Sequence, residues 1–485
     1  VSKTRQISGI ASPDVLDHPG ASAGACFNRP TTAMERTLST PPNTAYMLLV
    51  SSVAALGGLM FGFDIAIISG TVPFIQEYFR LDELALGWGV SSLLVGCIFG
   101  AMFAGRLSDA YGRKRLLIGV ALIFGATSVL TALAKTFGVF VAARFAGGIA
   151  VGAASMLSPL YIAEVAPFSV RGKLVALNQL TITLGILISY LINYLLHGIG
   201  ENNWRWMFAT GVFPSLLFFA LLFFVPESPR WLSRKGQERE ALEILTRIGG
   251  EDNARTEMAM ILNAAEHADT SVSALLAPGS RRVVLIGIVL AILVQISGIN
   301  TIIDYAPIIL RAAGNAIDVA LFQTFVIGFI NFAFTFVAIF TVDKAGRKPL
   351  YITGALGMTG SLALLSVSFL LGEVQGLMGL ILILAFIAFF ASCIGPVFWV
   401  LMSEIFPGRI RGTAMSVAVF TNWFANFLVV LLFPYVLKRF SGAITFGFLA
   451  AMSLVMALFT WAFVPETRGK TLEQIEHFWN KPGAG

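Results

Sequence analysis

The stretch Val283–Ala312, VVLIGIVLAILVQISGINTIIDYAPIILRA, decides the class of this chain. Its first 21 residues, Val283 to Ile303, carry no charge, and a helix needs ~20 apolar residues to cross a bilayer core. The hydrophobic run is then broken. Gln295, Ser297, Gly298, Asn300 and Asp304 arrive within ten residues, and Pro307 follows. Gly298 and Pro307 loosen a membrane helix and free backbone groups, which is tolerated only against protein or a water-filled cavity. Gln295 and Asn300 each carry amide donors and an acceptor, which suit them to hydroxyl partners. A helix that breaks at mid-membrane beside amides is the geometry of a solute-binding site; the plainer alternative for the amides alone is polar adhesion between helices.

Composition extends this reading to the whole chain. Of 485 residues, 56% are hydrophobic and 12% charged, about half the charge of a soluble domain. The expected class is an all-α membrane protein. The net charge of +6 then carries no argument for nucleic acid. Cys26, Cys97 and Cys393 are far apart, which leaves no disulfide framework or zinc spacing. No phosphate loop, nucleophile elbow or paired-histidine motif is present, so an enzyme, a cofactor and a metal site are not expected.

Hydropathy places twelve spans, near 45–69, 85–107, 115–134, 138–163, 173–197 and 205–225, then near 282–311, 319–342, 349–371, 377–403, 412–437 and 442–464. The implied organisation is a tail over 1–44, a six-helix half over 45–225, a linker over 226–281, a second half over 282–464 and a tail over 465–485. The first tail, rich in Ser, Thr, Pro and Ala, is expected to be disordered and holds no hydrophobic segment, so no cleaved signal peptide is expected. Within the linker, Ala241, Leu242, Leu245 and Ile248 fall on one face of a short amphipathic helix over Gln237–Ile248. Twenty-six of the 33 Lys and Arg lie in the tails and the even-numbered loops. The positive-inside tendency therefore places both termini in the cytoplasm.

The halves repeat one another. Asp109-Ala-Tyr-Gly112-Arg113-Lys114 returns as Asp343-Lys-Ala-Gly346-Arg347-Lys348, at an offset of 234. Glu164 with Arg171 returns as Glu404 with Arg411, at 240, and Pro226-Glu227-Ser228 returns as Pro465-Glu466-Thr467, at 239. Six spans per repeat is an even number, so both copies share one orientation in the membrane.

With these landmarks in view, the chain resembles the sugar porters of the major facilitator superfamily from the first span to Lys470. The resemblance rests on Gly-Arg-Leu-Ser-Asp-Ala-Tyr-Gly-Arg-Lys at 105–114, Pro-Glu-Ser-Pro-Arg-Trp-Leu at 226–232 and Gln-Ile-Ser-Gly-Ile-Asn at 295–300. Gly-Pro-Val-Phe-Trp at 395–399 and Pro-Glu-Thr-Arg-Gly at 465–469 complete it. It implies two six-helix bundles around one central site that alternately faces each side of a plasma or inner membrane. The partners it implies are a sugar or polyol, protons and the lipid bilayer, with the chain acting as a monomer.

A pyranose presents hydroxyls around apolar faces, so its site needs amides and an aromatic plane. Inside the spans the chain offers Gln179, Gln295, Asn300, Asn331 and Asn422, with Phe61, Trp399 and Trp423. By resemblance, Gln179, Gln295, Asn300, Asn331, Gly395 and Trp399 fall on sugar-contacting positions, while packing within the bundle is the equal alternative for Asn422 and Trp423. Three departures stand out: Val294 and Ile186 replace glutamines common in the family, and Asp304-Tyr305 replaces a tyrosine pair. An ionisable group at that depth is functional by default. Asp304 is open to three readings: acceptor of sugar hydroxyls, proton carrier, or tolerated substitution. Asp64 in the first span and Arg144 in the fourth occupy, by resemblance, the positions where proton symporters carry a facing Asp and Arg; uniporters of the family generally lack the acid. Finally, Asp109, Arg113, Glu164, Arg171, Glu227 and Arg230 share one membrane side with Asp343, Arg347, Glu404, Arg411, Glu466 and Arg468. Bidentate arginine–carboxylate pairs there are candidates for a latch between the bundles. The expected activity is proton-coupled symport of a monosaccharide or polyol; the alternatives are facilitative uniport and a non-transporting receptor.

Overall fold

The computed structural model describes residues 43–168, 170–265, 275, 277–372, 377–407 and 410–468. The expectations for most of both tails, and the Cys26 thiol, lie outside these residues. Helix α1, Thr44–Phe79, begins where the Asn43 side chain accepts a hydrogen bond from the Tyr46 N–H and ends at Arg80 in the left-handed region. It runs ten residues past the hydropathy boundary at 69, carrying Pro73 within it. Helix α2, Glu83–Tyr111, starts on an Asp82 cap, and α3, Arg113–Ala132, follows after the single residue Gly112. Helix α4, Phe137–Val165, and α5, Arg171–Leu196, each cross once. The sixth crossing is broken into α6, Asn203–Ala209, and α7, Val212–Leu222.

Three short helices form the linker: α8, Pro229–Arg234, α9, Glu238–Gly249, and α10, Glu251–Ala265. The middle one is the amphipathic helix expected from the sequence, with Ala241, Leu245 and Ile248 buried and Leu242 left partly in solvent. Its neighbours lack so clear a pattern, and hydropathy did not reveal them.

The second half opens with α11, Pro278–Ile296, and α12, Ile299–Ala312, the two pieces of the seventh crossing. They part at Ser297 and Gly298, and Gly298 holds φ 89°, a conformation that costs a residue with a Cβ but not glycine. Helices α13, Ile317–Ala345, and α14, Arg347–Leu371, follow. The tenth crossing is α15, Leu377–Phe389, and α16, Gly395–Ile405, joined by a π turn over Phe390–Ile394. Helix α17, Arg411–Phe463, spans 53 residues but carries non-helical dihedrals at Ser441. It therefore makes two crossings. Among the described residues eleven helices are long and apolar enough to span a membrane, and the bend at Ser441 makes this twelve crossings in two bundles of six. Large apolar side chains such as Phe213, Phe224, Phe340 and Leu370 lie mostly exposed, as a lipid-facing surface requires.

Within the first bundle α2 packs against α4 and α1 against α5. Gly96 and Gly100 of α2 lie so close to α4 that an added Cβ would sit 2.1 Å from the Phe145 and Ile149 carbonyl oxygens. Such small-residue contacts are how membrane helices gain packing without a hydrophobic drive. Between the bundles α2 meets α17, α5 meets α13 and α1 meets α12.

Candidate functional site

The break in the seventh crossing brings three amides into one chain. Gln295, the last polar residue of α11, donates from Nε2 to Oδ1 of Asn422 at 2.8 Å. Its own Oε1 accepts from Nδ2 of Asn300 at 2.7 Å. A continuous helix would hold residues 295 and 300 on different faces; the turn at Gly298 lets them meet. Satisfied mutually, the amides stay oriented in a buried setting where an unpaired one would cost ~1–3 kcal/mol. Among the described residues each end keeps a free function, the Asn300 carbonyl and the Asn422 NH2, so the three amides can address hydroxyls. Gln295 and Asn422 are buried, and Asn300 is partly exposed.

Aromatic rings border the amides. Phe61 of α1 and Trp423 of α17 meet edge to face across the two bundles, with centroids 5.6 Å apart. Trp423 is buried, whereas Trp399 is 38% exposed and packs edge-on against Phe398 at 4.9 Å. Asn331 and Gly395 are buried and Gln179 is half-buried. Val294 and Ile186 are buried apolar residues.

Deeper in the first bundle, Arg144 Nη1 lies 2.7 Å from Oδ1 of Asp64, and Nη2 donates to the Asp64 carbonyl at 3.4 Å. The guanidinium also lies over the Phe208 ring at 5.4 Å. Asp64 is 7% exposed and Arg144 2%. The pairing the sequence suggests is thus realised as a direct, buried ion pair between α1 and α4. Asp304 is 3% exposed, one helical turn beyond Asn300 on α12.

The side of the molecule bearing the start of α1 holds the charge clusters, and the two halves build them alike. Arg113 grips Glu164 through Nε at 2.9 Å and Nη2 at 3.1 Å, reaches Asp109 at 3.0 Å and donates to the Ser108 carbonyl at 3.0 Å. Glu227 accepts the backbone N–H groups of Arg113 and Lys114 at 2.8 and 3.1 Å, so a carboxylate sits on the positive end of α3. In the second half Arg347 pairs with Glu404 at 3.0 Å, and Glu466 accepts from the N–H groups of Arg347 and Lys348 at 3.1 Å each. Gly112 and Gly346 make both turns, with φ 98° and 92°; a Cβ would fall 2.4 Å and 2.8 Å from the facing glutamate oxygens.

The resolved pairs thus join helices of one half. Arg171 departs from the symmetry: it binds Glu257 of α10 at 2.9 Å, which anchors the linker to the first half. Arg411 donates to the Phe406 carbonyl at 3.3 Å, Arg468 is exposed, and the exposed Asp109 takes Arg234 at 3.0 Å, whereas Arg230 extends into solvent. The Asp343 side chain lies outside the described residues.

Sequence reasoning missed several members of these sites. Ser228 and Thr467 donate to Glu164 and Glu404 at 2.5 and 2.6 Å; their shared place in the Pro-Glu-Ser/Thr repeat was the available signal. Glu257 and Tyr190 had none. The Tyr190 hydroxyl donates to the Ile303 carbonyl at 2.7 Å, which clasps α5 to α12 across the bundles. On the side of the molecule away from the start of α1, Lys438 pairs with Glu83, and Tyr194 meets Phe322 with centroids 5.5 Å apart.

Residues 50–479 match the family model described as sugar (and other) transporter. Over 480 residues the chain is 41% identical to the D-xylose-proton symporter of Escherichia coli strain K12, covering 91% of this chain and 97% of that protein. It is 38% identical over 443 residues to the arabinose-proton symporter of Bacillus subtilis strain 168, covering 90% and 96%. A solved structure of the E. coli xylose transporter, in a partially occluded inward-open conformation, matches with TM-score 0.79 and 40% identity, covering 88% of this chain and 100% of that one. Family match, fold and charge clusters agree, and the chain belongs to the sugar (and other) transporter family.

Proposed function

We propose that this protein carries a monosaccharide or polyol across a membrane by alternating access, in symport with protons. The observation that carries the reading is the buried Asp64–Arg144 pair together with the Asn300–Gln295–Asn422 amide chain. Asp64 takes the proton, and Arg144 receives the carboxylate when the proton leaves. Gln295, Asn300, Asn331 and Gln179 bind hydroxyls with Asp304 one turn from Asn300, while Phe61, Trp399 and Trp423 cover the C–H faces and Gly395 leaves room for the ring. The names of the related xylose and arabinose symporters support this assignment.

The contacts across the bundles at Lys438–Glu83, Tyr190–Ile303 and Tyr194–Phe322 favour a state closed on the side away from the tails. We assign the tail side to the cytoplasm, from the bias of Lys and Arg, and the state as inward-facing. When that side closes, the clusters at Asp109, Arg113, Glu164, Arg171, Glu227 and Arg230 and at Asp343, Arg347, Glu404, Arg411, Glu466 and Arg468 face one another as a seal. The chain functions as a monomer in the bilayer.

The test is uptake of labelled D-xylose, D-glucose and myo-inositol into proteoliposomes under an inward proton gradient. Accumulation that a protonophore abolishes is the expected result. Equilibration without accumulation would replace symport with facilitative uniport, and no uptake of any probe would remove the transport reading.

A further inference from the structure

Six charged side chains are buried among the described residues: Asp64, Arg113, Arg144, Glu164, Glu257 and Asp304. Five have a charged partner in contact: Asp64 with Arg144, Arg113 with Glu164, and Glu257 with Arg171. Asp304 is the sixth. Among the described residues it forms no ion pair and accepts no hydrogen bond, at 3% exposure.

Its surroundings explain why. Of the two buried cations among the described residues, Arg144 is committed to Asp64 at 2.7 Å and Arg113 to Glu164 at 2.9 Å. Two phenols neighbour Asp304: Tyr305 follows it in the chain, and Tyr190 bonds the carbonyl of Ile303, which precedes it. Both hydroxyls donate elsewhere, to the Ile303 carbonyl at 2.7 Å and to the Val430 carbonyl at 3.0 Å. The central site therefore holds two carboxylates against one cation. A buried carboxylate without donors is strongly disfavoured. A proton would cancel the charge but bring an O–H with no protein acceptor in contact, so either form pairs with what enters the central cavity, water or cargo.

The placement indicates which partner. Asp304 follows Asn300 by four residues on α12, so the two share a face with Cβ atoms ~5–6 Å apart, close enough for one ligand to meet both side chains. Asn300 keeps its carbonyl for a hydroxyl. An ammonium supplies both what Asp304 lacks in charge and up to three donors. We propose that Asp304 selects a cargo bearing a basic amino group beside its hydroxyls, an amino sugar or aminocyclitol, which it binds as an ion pair. This inference rests on the sugar-transport reading above and narrows its substrate class.

The test is competition for substrate exchange in proteoliposomes of the full chain, using D-glucose, 2-amino-2-deoxy-D-glucose and its N-acetyl derivative. The expected result is that the free amine binds at least about tenfold more tightly than glucose. The N-acetyl compound, which keeps the nitrogen and removes the charge, should lose that advantage, as should the amine against Asp304→Asn. Because the comparison among ligands uses the unmodified protein, it stands even where the Asn variant fails to fold. Glucose binding as well as the free amine, or a preference that survives in Asp304→Asn, would overturn the proposal while leaving sugar transport intact. Failure of all three sugars, together with xylose and inositol, would remove the transport reading itself.

Discussion

Replacing Gln295 with Ala tests whether the three amides act as one unit. Gln295 is the middle member, tied at 2.8 Å to Asn422 and at 2.7 Å to Asn300. Its loss breaks two neutral hydrogen bonds at ~1 kcal/mol each and frees both end amides to rotate. The expected loss of sugar affinity is ~2 kcal/mol, roughly thirtyfold. Asn300→Ala or Asn422→Ala breaks one bond, for ~1 kcal/mol or about fivefold. Both ends act through Gln295, so the double variant should depart from additivity by ~0.5 kcal/mol or more. Calorimetric titration of the purified full chain with D-xylose and D-glucose measures all four, with thermal unfolding as the check on folding. If Gln295→Ala binds as tightly as the end variants and the end variants add strictly, the amides are independent and the reasoning fails.

Asp64→Asn should abolish accumulation against a gradient while sugar exchange continues; a variant that still concentrates sugar would clear Asp64 of coupling. Trp399→Ala should weaken sugar affinity through loss of a stacking face, read by the same titration. Gly112→Ala and Gly346→Ala should each destabilise by ~1–3 kcal/mol from backbone strain alone, with the displaced glutamate adding to it. Gly119→Ala in α3, where nothing lies within 4 Å, is the control, and thermal unfolding in nanodiscs compares the three. Lys438→Ala removes an exposed pair worth ~0–1 kcal/mol, so the population open on the side of that pair should rise by at most about fivefold, measured by spin-label distances between the start of α2 and the bend of α17 at Ser441.

The class, the crossings and the repeat were legible in the sequence because the bilayer imposes a length and a hydropathy that each span must meet alone. The break at Gly298 was legible for the same local reason: glycine and polar residues in one apolar run have few other uses. Partner choice was not local. Gln295 and Asn422 stand 127 residues apart, and only the packing of α11 on α17 decides that they bond. Asp64 and Arg144 are 80 residues apart and were matched through family resemblance; the fold makes the contact direct. The charge clusters show the limit most clearly. Their residue types and spacing were visible, yet spacing cannot say that Glu227 sits on the N-terminus of α3 or that Arg171 turns to Glu257. Likewise, the sequence placed Asp304 inside a span. Its lack of a partner is a property of the tertiary structure alone, because it depends on two tyrosine hydroxyls and one arginine being committed elsewhere.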